Sequence, residues 1–153
     1  ADCGRPHRGY DISVAGTLRP FWADEPRRIV VLETMSLPFL QNTTKWFRRG
    51  LTDLGYAEGK NFEVQVLNAE GKFARAQELL SKILAEGRVD LVVSVATLAS
   101  WASRELLKNG NVPQVFTVVA DPVGEGFVSA IGQKSGSNIT GQTHAPHSLS
   151  TPV

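Results

Sequence analysis

Two stretches of this chain, Ile29-Val30-Val31-Leu32 and Leu91-Val92-Val93-Ser94-Val95, are apolar at nearly every consecutive position. Neighbouring residues of a β-strand point to opposite faces, so such strands need cover on both sides. A sheet sandwiched between helices supplies it. The sequence between these runs has the matching helical period. Residues 40–54 set Leu40, Phe47, Leu51 and Leu54 on one stripe, with Gly50 where helix and sheet would approach and Gly55 as a stop. Residues 73–86 turn Ala76, Leu79, Leu80, Ile83 and Leu84 inward and end at Gly87,. Phe62, Val64 and Val66 alternate with Glu63 and Gln65, the pattern of a half-exposed edge strand,. A third helix is expected over 98–107, a fourth strand at Val115–Val119, a short helix over 126–131 and a short fifth strand at 138–141. Alternating strands and helices imply right-handed βαβ crossovers. The expectation is a three-layer αβα sandwich on a parallel sheet of four or five strands. Its order is 2-1-3-4-5, with the alternating strand at the edge.

At 153 residues the chain has the size of one domain that builds a core without staples,. Its formal charge of +1, with Lys and Arg scattered, gives no nucleic-acid footprint,. One cysteine, Cys3, excludes an internal disulfide and a cysteine-based zinc cluster,. No segment has transmembrane length, and no leader is visible in this chain, which opens on Ala1,. Residues 1–27 read as an irregular arm, its 12–18 stretch too broken by Gly16 for a strand. Residues 28–142 read as the folded lobe and 143–153 as a loose tail.

In such sheets ligands occupy the crevice beyond the carboxyl ends of the strands. Four loops should meet there: 33–37, 68–71, 96–97 and 121–124. Thr97 stands at the expected N-cap of the third helix, and Leu98, Ala99 and Ser100 after it are neutral. The first-turn amides and the helix dipole are therefore open to an anion such as a carboxylate, unless Thr97 simply caps its own helix. Asn68 offers an amide to the crevice or closes its own turn. Glu33 sits at the end of the first strand. Asp121, fixed in an extended conformation by Pro122, is a partner for a ligand amine or hydroxyl, a lone general base, or part of a plain strand-to-helix turn. Phosphate-loop, dinucleotide, zinc-protease and nucleophile-elbow motifs are absent from the sequence. His7, His144 and His147 lie in the two arms. No metal or cofactor is expected.

Several stretches together resemble the bacterial ABC-transporter substrate-binding proteins, in the group that includes tryptophan- and tyrosine-binding members. They are Phe47 to Gly59 with Lys60-Asn61, Asn68-Ala69-Glu70-Gly71, Asp90-Leu91-Val92-Val93 leading to Ala96-Thr97, Val112-Pro113 with Val115-Phe116, Asp121-Pro122-Val123-Gly124, and Asn138-Ile139-Thr140-Gly141. The resemblance covers about residues 28–143, and Glu70 replaces the more usual Gln. It implies the first of two lobes that clamp a solute. The expected role is non-catalytic capture of a small organic solute, an amino acid in the first instance. The expected partner is an importer permease, and the location periplasmic or extracellular. The resemblance to one lobe leaves open a sensory or interaction module, and the lone carboxylate leaves open an enzyme using Asp121. A lobe open on its strand-end face is also expected to dimerise there.

Overall fold

The computed structural model describes residues 25–143 together with two short strands, β1 (Tyr10–Ile12) and β2 (Leu18–Pro20). Cys3, the three histidines and the expected tail beyond residue 143 lie outside the described residues. β1 and β2 pair antiparallel, Tyr10 opposite Pro20 and Ile12 opposite Leu18. The arm was expected to hold no strand. Gly16, taken as a strand breaker, falls between the two paired segments instead of inside either.

The main sheet is built from β3 (Arg27–Glu33), β4 (Phe62–Asn68), β5 (Leu91–Val95), β6 (Gln114–Val119) and β7 (Ile139–Thr143). All are parallel, in the order β4-β3-β5-β6-β7, which is 2-1-3-4-5. Three helices connect them: α1 (Pro38–Asp53), α2 (Phe73–Glu86) and α3 (Thr97–Leu107). Along β3 the pleat sends Val30 and Leu32 to the α2–α3 side, where they meet Ala76, Leu80, Ile83, Ala99 and Ala102. Ile29 and Val31 go to the opposite side, against Leu40, Phe47 and Leu51 of α1. Val30, Val31 and Leu32 are fully buried, each stabilising the fold by about 1.5–3 kcal/mol relative to exposure,.

Ser94 interrupts the β5 run for a reason the run itself hides. Gln114 Nε2 donates to Ser94 Oγ and to the Ser100 carbonyl, both at 3.0 Å. Ser94 Oγ and Ser100 Oγ lie 3.0 Å apart, and Ser100 Oγ donates to the Ala96 carbonyl at 2.9 Å. All three side chains are buried, so this small satisfied network fixes the start of α3 against β5 and β6,. At the amino ends of the strands, Asp90 accepts the Arg28 N–H at 2.9 Å and bonds the guanidinium groups of Arg88 and Arg27. Burial raises the Asp90 pKa, but these donors outweigh it and hold the carboxyl below its ordinary value,.

Three local expectations are corrected. No helix forms over 126–131: Gly126 and Gly132 have φ of +69° and +77°, incompatible with right-handed winding,. Phe127 anchors that connection instead, its ring tilted against Trp101 at 5.3 Å and Phe116 at 5.6 Å between centroids. Leu54 lies past the end of α1 and is 76% exposed, so it is not part of the inward stripe. Gly50 does not mediate a close approach, since a Cβ there would meet no atom within 4 Å.

Candidate functional site

The loop after β3 is the hub of the carboxyl-end rim. Its carbonyls at Glu33 and Thr34 accept the N–H groups of Ala69 (2.9 Å) and Gly71 (2.8 Å), tying it to the β4–α2 loop. Asn68 Nδ2 donates to Ser36 Oγ across the same seam. On the other side Thr34 Oγ1 donates to the Val95 carbonyl at 2.9 Å and accepts the Ala99 N–H at 3.2 Å. Thr34 is buried, so one side chain from β3's loop caps α3 from across the sheet.

Thr97 is therefore not the N-cap. The helix begins at Thr97, and the cap position is Ala96, with φ 73° and ψ 167° and no side-chain cap of its own. That conformation belongs almost entirely to glycine. Glu70 and Val118 also have positive φ, at 53° and 59°. Among the described residues, the three non-glycine residues with positive φ follow or end β4, β5 and β6, all at one rim. Such geometry persists only where the surroundings over-determine it, and it gathers at functional sites.

The anion site expected at Thr97, Leu98 and Ala99 is consequently smaller than its three residues. The Ala99 N–H is taken by Thr34 Oγ1. The N–H groups of Thr97 and Leu98 meet no protein acceptor among the described residues. No acidic residue stands in the first turn of α3 to neutralise the dipole,. The other expected site residues are turned to local tasks. Asp121 is exposed, and its Oδ1 accepts the Gly124 N–H at 2.8 Å, closing its own turn. Asn68 Oδ1 accepts the Glu70 N–H at 2.8 Å, so it too closes a turn while bonding Ser36. Glu33 is 4% exposed and accepts a 2.5 Å hydrogen bond from Thr44 of α1, beneath the rim.

Thr34, Ser36 and Ala96 escaped the sequence reading. Nothing local marks Thr34 as a cap for a helix more than sixty residues away, although a Thr directly after an apolar run is the kind of residue able to do it. Around this polar seam the rim is apolar. Met35, Leu37, Phe73 and Val123 are all exposed there. The arrangement can hold a carboxylate or another anion by backbone N–H groups, with apolar walls for the rest of a ligand. Among the described residues no cluster of His, Cys, Asp and Glu is set to hold a metal ion.

The rim is the carboxyl edge of a lobe with the periplasmic-binding-protein-like fold. Residues 28–148 match the model of the ABC transporter substrate binding protein family, and the chain belongs to that family. It is 29% identical over 115 residues to the tyrosine-binding protein of Clostridioides difficile (strain R20291), covering 75% of this chain and 32% of that one. Among solved structures, an ABC domain in complex with L-Trp from Streptococcus pneumonia is 28% identical with a TM-score of 0.69, covering 78% of this chain and 39% of its own. A conserved domain protein from Vibrio cholerae is 31% identical with a TM-score of 0.72, covering 79% and 40%. The chain thus spans about a third to two-fifths of the length of these relatives. No helix among the described residues is long and apolar enough to cross a membrane.

Proposed function

We propose that this lobe captures a small organic solute at its carboxyl-end rim and delivers it, without turnover, to the permease of an ABC importer outside the cytoplasmic membrane. The proposed solute is an amino acid, whose carboxylate sits on the N–H groups of Thr97 and Leu98. The observation that carries this reading is that unneutralised helix start, ringed by exposed apolar side chains,. Relatives described as binding tyrosine or tryptophan favour an amino acid with an aromatic side chain. Capture without chemistry also suits Asp121, whose carboxylate is already engaged by its own turn.

One wall leaves part of the ligand wet, so affinity for this chain is expected near the millimolar range, on the order of −4 kcal/mol. Calorimetric titration with L-Trp and L-Tyr tests the site. Thr97→Asp places a negative charge at the first helical position, where the dipole welcomes it, so stability holds or rises by a few tenths of a kcal/mol. Ligand affinity should fall at least tenfold. Unchanged affinity would remove the α3 start from the site, and conversion of the ligand during the titration would overturn capture as the function.

A further inference from the structure

Among the arginines of the described residues one stands apart. Arg27, Arg28, Arg48, Arg49, Arg75 and Arg88 each face an Asp or Glu carboxylate. Arg104 of α3 makes no ion pair with any described residue. It is half-buried, so its uncompensated charge costs more than one left in open solvent,. Its guanidinium carbon lies 5.3 Å from the Trp101 ring centre and 5.7 Å from that of Phe127. These two aromatic faces fix the group in place and offset part of its desolvation. Of its N–H donors, one reaches the Glu125 carbonyl at a long 3.5 Å,.

Neither local negative charge serves as the counter-ion. The Glu125 carboxylate is engaged elsewhere, its Oε2 accepting the Trp101 Nε1–H at 2.6 Å. At the carboxyl end of α3, the Leu107 carbonyl already accepts the Gly110 N–H and Asn138 Nδ2, both at 2.9 Å. Arg104 opens instead onto a cavity of about 520 Å³ between α3 and the β6–β7 connection. Lys108, Ser129, Ser135 and Ser137 line it too, and no acidic side chain does. Lys108 Nζ bonds Glu105 at 3.0 Å, an exposed pair of the kind worth about 0–1 kcal/mol, so a better partner draws it away at little cost,. Asn138 Nδ2 donates to the Val112 carbonyl at 2.9 Å as well, so this wall of the cavity is tied to the end of α3 before any ligand arrives,.

We propose that this cavity is a second binding site, separate from the strand-end rim, and that it takes a phosphate group, free or carried on a small molecule. A guanidinium fork meets phosphate oxygens in bidentate fashion. A phosphate monoester carries about −1.5 to −2 charge at pH 7, which matches one arginine with one lysine. A carboxylate would leave one of the two cations unmatched. The serine hydroxyls supply neutral donors to the remaining oxygen. Arg104 stands about 10 Å along α3 from Thr97, so the two sites do not share a ligand.

Amide NMR titration of the full ¹⁵N-labelled chain tests it, with sodium phosphate and, separately, glycerol phosphate as ligands at an ionic strength held constant with sodium chloride. Saturable shifts are expected at Gly126, Ser129, Ser135 and Ser137, with half-saturation at about 1–5 mM. The tighter of the two ligands tells whether the phosphate is taken free or as an ester. Arg104→Gln should weaken binding about fivefold or more, and Lys108→Gln about twofold. Ser129→Asp offers the two cations a tethered carboxylate from an exposed position, so it should abolish the shifts with circular dichroism unchanged, even if Arg104→Gln loosens the packing on Trp101. Thr97→Asp, at the rim, should leave them as they are. Shifts reproduced by sodium chloride alone, shifts centred on Thr97 and Leu98, or shifts that survive both Arg104→Gln and Ser129→Asp would overturn the proposal.

Discussion

Replacing Ala96 by glycine should stabilise this protein, although it removes a methyl group and loosens the unfolded chain. Ala96 is held at φ 73° and ψ 167° by three bonds. Its N–H donates to the Thr117 carbonyl at 2.9 Å, and its carbonyl accepts from the Ser100 N–H at 3.1 Å and from Ser100 Oγ at 2.9 Å. A residue with a Cβ in that region costs about 1–3 kcal/mol. Glycine removes this cost but gives back about 0.4–1 kcal/mol through the extra freedom of the unfolded state. The balance is a gain of roughly 0.5–2 kcal/mol, or a rise in Tm of about 2–6 °C for a folded unit of this size. Urea unfolding should show a higher midpoint with an unchanged slope, because the surface exposed on unfolding is the same. Ala96→Val, which adds β-branching to the same conformation, should move the midpoint the other way. If Ala96→Gly lowers stability by about 1 kcal/mol, the backbone at 96 is unstrained. The rim would then store no strain at that position.

Two further substitutions probe the frame, one at the rim and one at the opposite end of the sheet. Thr34→Val keeps the shape but deletes the acceptor for the Ala99 N–H and the donor to the Val95 carbonyl, and should cost about 1–2 kcal/mol in urea unfolding,. Asp90→Asn should cost about 1 kcal/mol at pH 7, since the charge-assisted bonds to Arg88 and Arg27 weaken,. The folded pKa of Asp90 lies below its unfolded value near 3.9, so its contribution is complete above that pH and is lost as pH falls through the folded pKa,. The stability gap between the parent and Asp90→Asn should therefore close as the solution is acidified below about pH 4. A gap that widens on acidification would contradict this.

The strand order was legible because burial leaves a direct mark on sequence. β3 and β5 are apolar at consecutive positions, β4 alternates, and the sheet places β4 at its edge as that contrast requires,. The chemistry of the rim left no such mark. Thr34 meets Ala99 only after the chain has crossed the sheet, and the φ of Ala96 is set by bonds to Thr117 and Ser100. Asn68 and Asp121 each had a local turn as the competing role, and in both cases the bond two or three residues away is present,. The 126–131 segment has helix-compatible side chains, but the glycines at its edges decide its path. Local pattern located the rim, while long-range bonding determined which of its groups remain free for a ligand.

The proposed function places the solute at the carboxyl ends of the strands, on the start of α3. Amide NMR spectra of the ¹⁵N-labelled chain, titrated with L-Trp and L-Tyr into the millimolar range, test it most directly. Saturable shifts should appear at Thr97 and Leu98 and extend to the loops at 34–37 and 69–72, with residues at the opposite end of the sheet, such as Asp90 and Arg28, unmoved. Shifts confined to the amino ends of the strands, or none at Thr97 and Leu98 at saturating ligand, would contradict the account.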